Sequence, residues 1–317
     1  MNNKDLTPGL ADAMVRVTEL AAIAAAKLAG RGDEKKADAA AVDAMRSAFN
    51  EVEFRGRVVI GEGERDEAPM LYIGEEVGTG KGPEIDIALD PLEGTTLTAK
   101  AMANALAVLA IAPRGGLLHA PDTYMDKIAI GPGYPEGIIS LDEKPADNIK
   151  ALAKAAKRKV EDMTVCVLDR PRHEDIIESL RSAGARIALI TDGDVAGVIA
   201  TTNSLTGIDM YVGSGGAPEG VLAAAALKCV GGQMFGRLVF RNDDEKKRAT
   251  RVGITDFGKT YALNELASGD TVFCATGVTN GTMLNGVLYK DARVHTHTLV
   301  MTSTDGMVRY VRSARKV

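Results

Sequence analysis

Apolar and polar positions alternate along the chain between helical and strand-like spacing, which predicts an α/β architecture. Ala-rich stretches place apolar residues three and four positions apart, whereas shorter runs are dense in Val, Ile and Leu. Arg31, Gly32 and Asp33 form a break between the first two helical stretches. In the first half, the predicted elements are helices at 11–29 and 37–53, strands at 58–60 and 85–89, and an apolar run at 105–112.

The second half repeats this alternation more regularly. Its charged segment from Arg241 to Arg251 lacks apolar periodicity, which predicts an exposed loop. No low-complexity linker divides the chain, so we expect a single catalytic unit over 1–317, with halves of about 1–160 and 161–317. The predicted elements here are strands at 164–168, 186–190 and 207–212, helices at 174–183, 195–200 and 218–227, and a hairpin of 295–301 with 307–311.

Composition removes several classes of function. The 317 residues carry a net charge of −5, which argues against a nucleic-acid binder. Aromatic residues make up 4% and Trp is absent, so a base-stacking surface is not expected. The apolar stretch 20–29 contains Lys27 and is far shorter than the roughly 20 residues of a membrane span. We therefore expect neither nucleic acid nor membrane as a partner.

The three cysteines predict free, buried thiols. Cys166, Cys229 and Cys274 are far apart and each lies in an apolar run, so neither a zinc cluster nor a disulfide framework is indicated. Free thiols are typical of a reducing compartment. The first ten residues also lack the apolar segment of a signal peptide, and the expected location is cytoplasmic.

Familiar nucleotide and hydrolase motifs are absent from the sequence. The glycines at 78–82 do not match a phosphate-binding loop, and those at 213–216 do not complete a dinucleotide fingerprint. Neither a G-x-S-x-G elbow nor an H-E-x-x-H zinc motif occurs. The alternation of His295 and His297 is more typical of a strand surface than of metal ligands.

Acidic residues follow the predicted strands instead. Glu62 comes after the strand at 58–60, and Asp90 and Glu93 come after the strand at 85–89, where Pro91 is expected to end the strand. Ligands of open α/β sheets bind at the carboxyl ends of strands. Several carboxylates in one cleft call for a hard divalent cation, Mg²⁺ or Mn²⁺. For Glu64, Asp66 and Glu67 a role as caps or surface charges is favoured over this one.

Gly94 and Thr95 follow these acids, where the backbone can approach a ligand and a helix can begin. Three loops of the second half end strands in the same way. Asp192-Gly193-Asp194 suits sugar hydroxyls, and Arg170-Pro171-Arg172 suits a phosphate remote from the metal. The stretch 215–220 places Glu219 in the first turn of a helix, where an acid is stabilising.

Taken together, the motifs resemble those of the class II fructose-1,6-bisphosphatases, bacterial members of the lithium-sensitive sugar and inositol phosphatase superfamily. The Asp-Pro-x-acid-Gly-Thr string alone indicates the superfamily, and the strings in this order indicate the class. The resemblance covers nearly the whole chain. It is carried by the strings at 30–33, 59–64, 66–70, 90–95, 120–125, 192–194 and 215–220.

The resemblance implies a layered α-β-α-β-α sugar phosphatase fold and hydrolysis of the 1-phosphate of fructose 1,6-bisphosphate with Mn²⁺ or Mg²⁺. It also implies a homo-oligomer, a dimer or tetramer. Thr95 and Glu62 are the implied catalytic residues. The implied metal ligands are Asp38, Glu62, Asp90, Glu93 and Glu219, and the implied substrate positions are Glu93, Gly94, Thr95, Tyr124, Arg170, Pro171, Arg172, Asp192, Gly193, Asp194 and Gly216.

Two positions depart from the family pattern. Glu34 stands where relatives often carry Lys, so that role is left unassigned, and Arg170 stands where relatives carry Lys in some cases. Three alternatives remain open at this point. They are a dual fructose and sedoheptulose bisphosphatase, an inositol or nucleotide phosphatase of the same fold, and an inactive sugar-phosphate sensor.

Overall fold

The computed structural model describes residues 6–63 and 69–316. Its helices are α1 (Pro8–Ala26), α2 (Glu34–Phe49), α3 (Thr95–Ala99), α4 (Pro145–Ala156), α5 (Glu174–Ser182), α6 (Asp194–Ala200), α7 (Ala217–Val230), α8 (Asp243–Arg251) and α9 (Leu263–Leu266). The first strands are β1 (Arg55–Ile60), β2 (Glu76–Val77), β3 (Glu84–Glu93), β4 (Leu106–Pro113), β5 (Tyr124–Ile130), β6 (Thr164–Leu168) and β7 (Arg186–Ile190). The remaining strands are β8 (Met210–Gly216), β9 (Gln233–Val239), β10 (Thr260–Ala262), β11 (Val272–Gly277), β12 (Leu288–Lys290), β13 (Arg293–Thr302) and β14 (Met307–Lys316).

These elements confirm the α/β class, and they form two mixed sheets in two compact units. The first unit comprises 1–118 together with 269–317, and the second comprises 119–268. The expected division near residue 160 falls inside the second unit. That the whole chain works as a single catalytic unit, in five layers, stays a prediction.

The first unit contains a sheet in the order β12-β13-β11-β4-β3-β1-β2, with β14 also paired to β13. β1 and β3 run parallel, and the other pairs are antiparallel. α1 buries its apolar face in this unit. One polar contact ties it to the sheet, because the Thr276 hydroxyl donates to Thr18 at 2.8 Å and both side chains are fully buried.

The turn before α2 is fixed by its glycines. The amides of Gly30 and Gly32, both at positive φ, donate to the carbonyls of Thr98 and Ala99 at the end of α3, each at 2.9 Å. The Asp33 side chain then caps α2 by accepting from the Lys36 amide at 3.0 Å. The string at 30–33 therefore sets where α2 begins relative to α3.

The sheet of the second unit has the order β10-β9-β5-β8-β6-β7. β6 runs parallel to both β7 and β8, so the carboxyl ends of these three strands share one edge. β5 is antiparallel to β8 and begins at that edge, where Tyr124 pairs with Gly216. The three predicted ligand loops of the second half therefore leave the same edge of one sheet.

Two expectations are wrong. Pro91 does not end its strand: β3 continues to Glu93, and the pairing with β4 shifts register between Asp90 and Glu93, so the missing proline N–H falls where the ladder is irregular. Most of the charged segment at 241–251 forms the helix α8, which begins after the capping residue Asn242. The segment shows no apolar periodicity because Glu245 and Ala249 are the residues that this helix buries.

The predicted strands at 164–168 and 186–190 have the observed bounds, and β13 and β14 form the predicted hairpin. Cys166, Cys229 and Cys274 are buried free thiols, as expected. Among the residues with described positions, no helix is both long and apolar enough to cross a membrane.

Candidate active site

The acidic edge of the first unit is set by strand register. Ile60 of β1 pairs with Ala88 of the parallel strand β3. Two residues further along each strand come Glu62 and Asp90, so the register carries the two carboxylates to the same edge. Asp38 projects from α2 near its start and is half-buried. The structure thus brings together three of the five predicted metal ligands.

Glu93, Gly94 and Thr95 continue the same edge. Glu93 ends β3 and is buried, with 6% of its surface exposed. Gly94 caps α3 at φ 90°, a left-handed conformation, and a Cβ there would lie 2.8 Å from Leu97. Thr95 is the first residue of α3 and half-buried, and no side chain caps this helix. The Thr95 hydroxyl is therefore not used as a helix cap.

The carboxylates of this edge disfavour one another's charge. Burial, followed by the negative charges of Asp38 and Asp90, raises the pKa of Glu62 to about 8. Burial and the charge of Asp90 raise the pKa of Asp38 to about 6. The Asp90 side chain also accepts from the Leu92 amide at 3.0 Å across Pro91. Ionising these carboxyl groups thus costs folding free energy, and near neutral pH the protonated form of Glu62 is favoured.

This donor set suits a hard divalent cation, which offsets carboxylate repulsion through oxygen ligands. Over residues 6–63 and 69–316, the side chains as they stand do not form a group of three or more His, Cys, Asp or Glu arranged to hold a metal. The raised pKa values of Asp38 and Glu62 are the observation that fits a cation. Glu64, Asp66 and Glu67 lie outside the described residues.

We expect the metal-free protein to lose stability as the pH rises from about 4 to about 8. The folded-state pKa values of Asp38 and Glu62, about 6 and about 8, lie above their ordinary values of 3.8 and 4.5. Such an acid costs nothing while both states are protonated. Its cost grows with pH while the unfolded chain is ionised and the folded protein still holds the proton, and it levels off above the folded pKa. Thermal melts at several pH values, without and with added Mn²⁺, measure this effect.

Glu62→Gln is the informative variant for that experiment. Without metal it should melt higher than wild type at pH 8 and much like wild type near pH 4, because it lacks the carboxylate with the larger shift. Added Mn²⁺ should raise the melting temperature of wild type more than that of the variant. Parallel pH profiles for the two proteins would contradict the assignment of charge repulsion to Glu62.

The fifth predicted ligand, Glu219, lies in the second unit, in the first turn of α7. Pro218 opens this helix, where a proline is tolerated. A Cβ at Gly216 would lie 1.8 Å from the Glu219 Oε2 atom, so the carboxylate rests against a backbone that leaves no room for a side chain. The role of Glu219 as a metal ligand stays a prediction.

Arg172 and Tyr124 meet at the edge of the second sheet. The Arg172 guanidinium lies over the Tyr124 ring, 4.9 Å from its centroid. Its Nε and Nη2 atoms donate to the Ser214 carbonyl at 3.0 and 2.8 Å, which holds the side chain in place. Arg170 instead donates to the carbonyl of Asp169 at 3.1 Å. The contacts thus join Arg172 to Tyr124, while the paired use of Arg170 and Arg172 stays a prediction.

His173 fixes the backbone that Arg172 contacts. Its Nδ1 atom donates to the Leu168 carbonyl at 2.7 Å, and its Nε2 atom accepts from the Ser214 amide at 2.8 Å. Burial lowers the pKa of His173, which keeps the ring neutral as these two bonds require. The ring links the end of β6 to the end of β8.

Asp194, one of the implied substrate positions, already has a partner within the protein. It is buried and forms an ion pair with Lys127, whose Nζ atom also donates to the Gly216 carbonyl at 2.9 Å. The Tyr211 hydroxyl lies 3.5 Å from the same carboxylate. This pair ties the start of α6 to the end of β8. Asp192 remains half-buried beside Gly193, and substrate contact by 192–194 stays a prediction.

Sequence reasoning missed three residues of this edge: Lys127, His173 and Arg241. Lys127 lies in an apolar strand pattern, where only a buried acid could balance its charge, and Asp194 is distant in sequence. Arg241 lies in the segment that the sequence predicts as an exposed loop without a role in the site, and its guanidinium lies 4.8 Å from the Tyr124 centroid. The signal for Arg241 was the acid four residues later, at helical spacing.

Mutually repelling carboxylates beside a helix start, at the edge of a mixed sheet, fit an α/β phosphatase. Phosphatases of this kind are in general metal-dependent. The family model described as bacterial fructose-1,6-bisphosphatase, glpX-encoded, matches residues 8–315. The chain belongs to this family, whose activity is that of a fructose-1,6-bisphosphatase.

Two cyanobacterial relatives named D-fructose 1,6-bisphosphatase class 2/sedoheptulose 1,7-bisphosphatase are similar over nearly their whole length. The protein from Synechococcus sp. (strain JA-3-3Ab) is 46% identical, over 94% of this chain and 93% of that protein. The protein from Prochlorococcus marinus (strain NATL1A) is 44% identical, over 96% and 95%. The solved structure of the extragenic suppressor protein suhB from Bartonella henselae matches 62% of this chain and 74% of its own, at 13% identity and a TM-score of 0.34.

Proposed function

We propose that this protein hydrolyses the 1-phosphate of fructose 1,6-bisphosphate with Mn²⁺ or Mg²⁺ and releases fructose 6-phosphate. The observation that carries the proposal is the carboxylate edge of Asp38, Glu62 and Asp90, where burial and then charge repulsion raise two pKa values. When bound, the divalent cation would lower the pKa of the attacking water and neutralise the phosphoryl oxygens. We assign its ligands to Asp38, Glu62, Asp90, Glu93 and Glu219.

Thr95 and Glu62 handle the attacking water in this proposal. The Thr95 hydroxyl, which caps no helix, orients the water by accepting a hydrogen bond from it. The ionised form of Glu62 receives the proton, because burial and its acidic neighbours raise its pKa and make it a stronger base than an exposed carboxylate. Gly94 lets the backbone approach the phosphate without a side chain in the way.

The second-unit edge would hold the sugar and the remote phosphate. Arg172 presents a charged donor beside the Tyr124 ring, and two bonds to the Ser214 carbonyl reduce the entropy that it loses on binding. Gly216 pairs with Tyr124 on the neighbouring strand, and its missing side chain lets the Glu219 carboxylate rest against the backbone there. Arg170, Pro171, Asp192, Gly193 and Asp194 complete the proposed substrate positions.

Phosphate release from purified protein tests the proposal directly. Fructose 1,6-bisphosphate, sedoheptulose 1,7-bisphosphate, inositol monophosphate and a nucleoside monophosphate are assayed with Mn²⁺, with Mg²⁺ and with chelator. We expect metal-dependent turnover of the sugar bisphosphates and little of the other two. Absence of turnover with every metal would leave an inactive sugar-phosphate sensor.

A dual activity is the second candidate, favoured by the names of the cyanobacterial relatives. The two sugar bisphosphates differ by one carbinol between the phosphates, so each phosphate presents the same chemistry to Arg172 and to the acidic edge. Similar kcat/KM values for the two sugars would assign both activities.

Arg172→Ala should weaken binding of a bisphosphate more than of a monophosphate. The variant loses one charged hydrogen-bonding partner of the remote phosphate, worth about 1.5–3 kcal/mol. We expect the KM of fructose 1,6-bisphosphate to rise while that of fructose 1-phosphate changes little. Steady-state kinetics on both sugars measure the difference.

Arg181→Ala is the matched control, since it removes the same charge from an exposed position on α5. It should leave both KM values near wild type. Equal changes for the two sugars in Arg172→Ala would show that Arg172 does not read the remote phosphate and would favour an inositol or nucleotide phosphatase.

We also propose a cytoplasmic homo-oligomer that binds neither nucleic acid nor membrane. The free, buried state of all three cysteines supports a reducing compartment. The net charge of −5 supports the absence of nucleic acid. Light scattering on the purified protein measures the oligomeric state.

A further inference from the structure

Arg241 reaches the candidate remote-phosphate site from an element that no motif indicates. It follows β9, whose last residue Val239 pairs with Tyr124. Its guanidinium lies 4.8 Å from the Tyr124 centroid, and that of Arg172 lies 4.9 Å from the same point. The two guanidinium carbons are therefore less than 10 Å apart. Two cations are held over one ring.

A buried carboxylate fixes the orientation of Arg241. Glu245 exposes 1% of its surface, and its Oε1 atom accepts from Arg241 Nε at 2.7 Å. Its Oε2 atom accepts from the Arg241 amide at 2.7 Å and from the Thr123 hydroxyl at 2.9 Å. Burial by itself would raise the pKa of Glu245, but these hydrogen bonds outweigh it and lower the pKa. Glu245 is thus ionised and committed to holding Arg241.

The remaining donors of both arginines suit a dianion. Arg172 uses Nε and Nη2 on the Ser214 carbonyl, and Arg241 uses Nε and Nη2 on Glu245. An ion pair to one carboxylate leaves Arg241 with unshared N–H groups, because a guanidinium has five. Charged N–H···O bonds are about 2.8 Å long, so a spacing of less than 10 Å is of the size that one phosphate can bridge by accepting from both guanidinium groups.

We propose that Arg241 is a second anchor for the remote phosphate of the sugar bisphosphate, acting with Arg172 across Tyr124. This inference rests on the proposed function and names a specificity determinant for its substrate. Glu245 is a positioning residue, because it acts through Arg241. The pair explains how α8, a helix of charged residues with little apolar surface, contributes to the site.

Arg241→Ala tests the proposal in two ways. In kinetics, the KM of fructose 1,6-bisphosphate should rise about 10-fold to 100-fold, as expected for one charged hydrogen-bonded pair, while kcat/KM for fructose 1-phosphate stays within about 2-fold. In calorimetry on metal-free protein, the affinity for fructose 6-phosphate should fall by a similar factor. Arg241→Lys, which keeps the charge without the fork, should lie between wild type and Arg241→Ala.

Arg251→Ala is the matched control, an exposed arginine at the last position of the same helix. It should bind and turn over both sugars as wild type does. A lower melting temperature in Arg241→Ala and Arg241→Lys, with unchanged fructose 6-phosphate affinity, would overturn the proposal and leave Arg241 as a partner of Glu245 in folding.

The calorimetric arm separates this proposal from the proposed reaction. If wild type releases no phosphate from any sugar bisphosphate, the reaction is wrong. Weaker fructose 6-phosphate binding in Arg241→Ala would still support the anchor. If wild type is active and neither arm distinguishes Arg241→Ala from Arg251→Ala, the anchor is wrong and the reaction stands.

Discussion

Asp90→Asn and Glu93→Gln should each abolish metal-dependent turnover while leaving the fold intact. Each variant replaces a carboxylate by an amide of the same shape, so it removes a negative charge from the acidic edge and leaves the packing unchanged. Lewis-acid stabilisation by a metal is worth several kcal/mol, so the expected loss in kcat/KM is on the order of 10³-fold or more. Phosphate release at saturating Mn²⁺ measures it.

Asp90→Asn carries a second expectation. The charge of Asp90 contributes to the raised pKa values of both Asp38 and Glu62, so its removal should raise the melting temperature of the metal-free protein at pH 8. Glu84→Gln is the control, an exposed acid at the other end of β3. Full activity in either site variant would remove that residue from the metal site.

The regular part of the second unit could be predicted because its pattern is local. The strands at 164–168 and 186–190 are short, mainly apolar runs, and the inner strand β6 is buried along most of its length, whereas β7 lies at the edge of the sheet. The carboxylate edge of the first unit followed from the same logic. Glu62 follows β1 and Asp90 lies near the end of the parallel strand β3, so the shared strand direction brings both acids to one edge.

The two wrong predictions, for Pro91 and for the segment 241–251, applied a general residue preference at positions where other contacts compensate for it. Pro91 disfavours a strand in general, but here a register shift in the ladder absorbs it. The segment 241–251 has almost no apolar face, yet Asn242 caps it and the buried Glu245 anchors it. The register shift cannot be seen from the neighbours in sequence, whereas the Asn242 cap and the helical spacing of Arg241 and Glu245 can.

The long-range polar contacts of the second unit could not be predicted, because their partners are distant in sequence. Lys127 and Asp194 are 67 residues apart, and Thr123 and Glu245 are 122 residues apart. Lys127 and Glu245 lie outside the motif strings, and they contact Asp194 and Thr123, which lie within them. A buried lysine within an apolar strand is the sequence feature that calls for such a partner.

Thr95→Ala should lower kcat strongly and leave KM nearly unchanged. Thr95 is the first residue of α3, directly after the left-handed Gly94 and Glu93. A hydroxyl that orients the attacking water acts mainly in the transition state, so its loss appears in kcat, by on the order of 10²–10⁴-fold. Thr95→Ser keeps the hydroxyl and should retain substantial activity, with some loss from greater rotamer freedom.

The structure makes the competing explanation testable in the same samples. If Thr95 only capped the helix, Thr95→Ala would lose about 1 kcal/mol of folding free energy, the usual value of a cap. The variant would then melt at a lower temperature and turn over normally. Since no side chain caps α3, we expect a melting temperature near wild type. Thr96→Ala, one residue further along the helix and also half-buried, is the matched control for kcat. Equal turnover in Thr95→Ala and Thr96→Ala would transfer the search for the water-orienting group to Glu62.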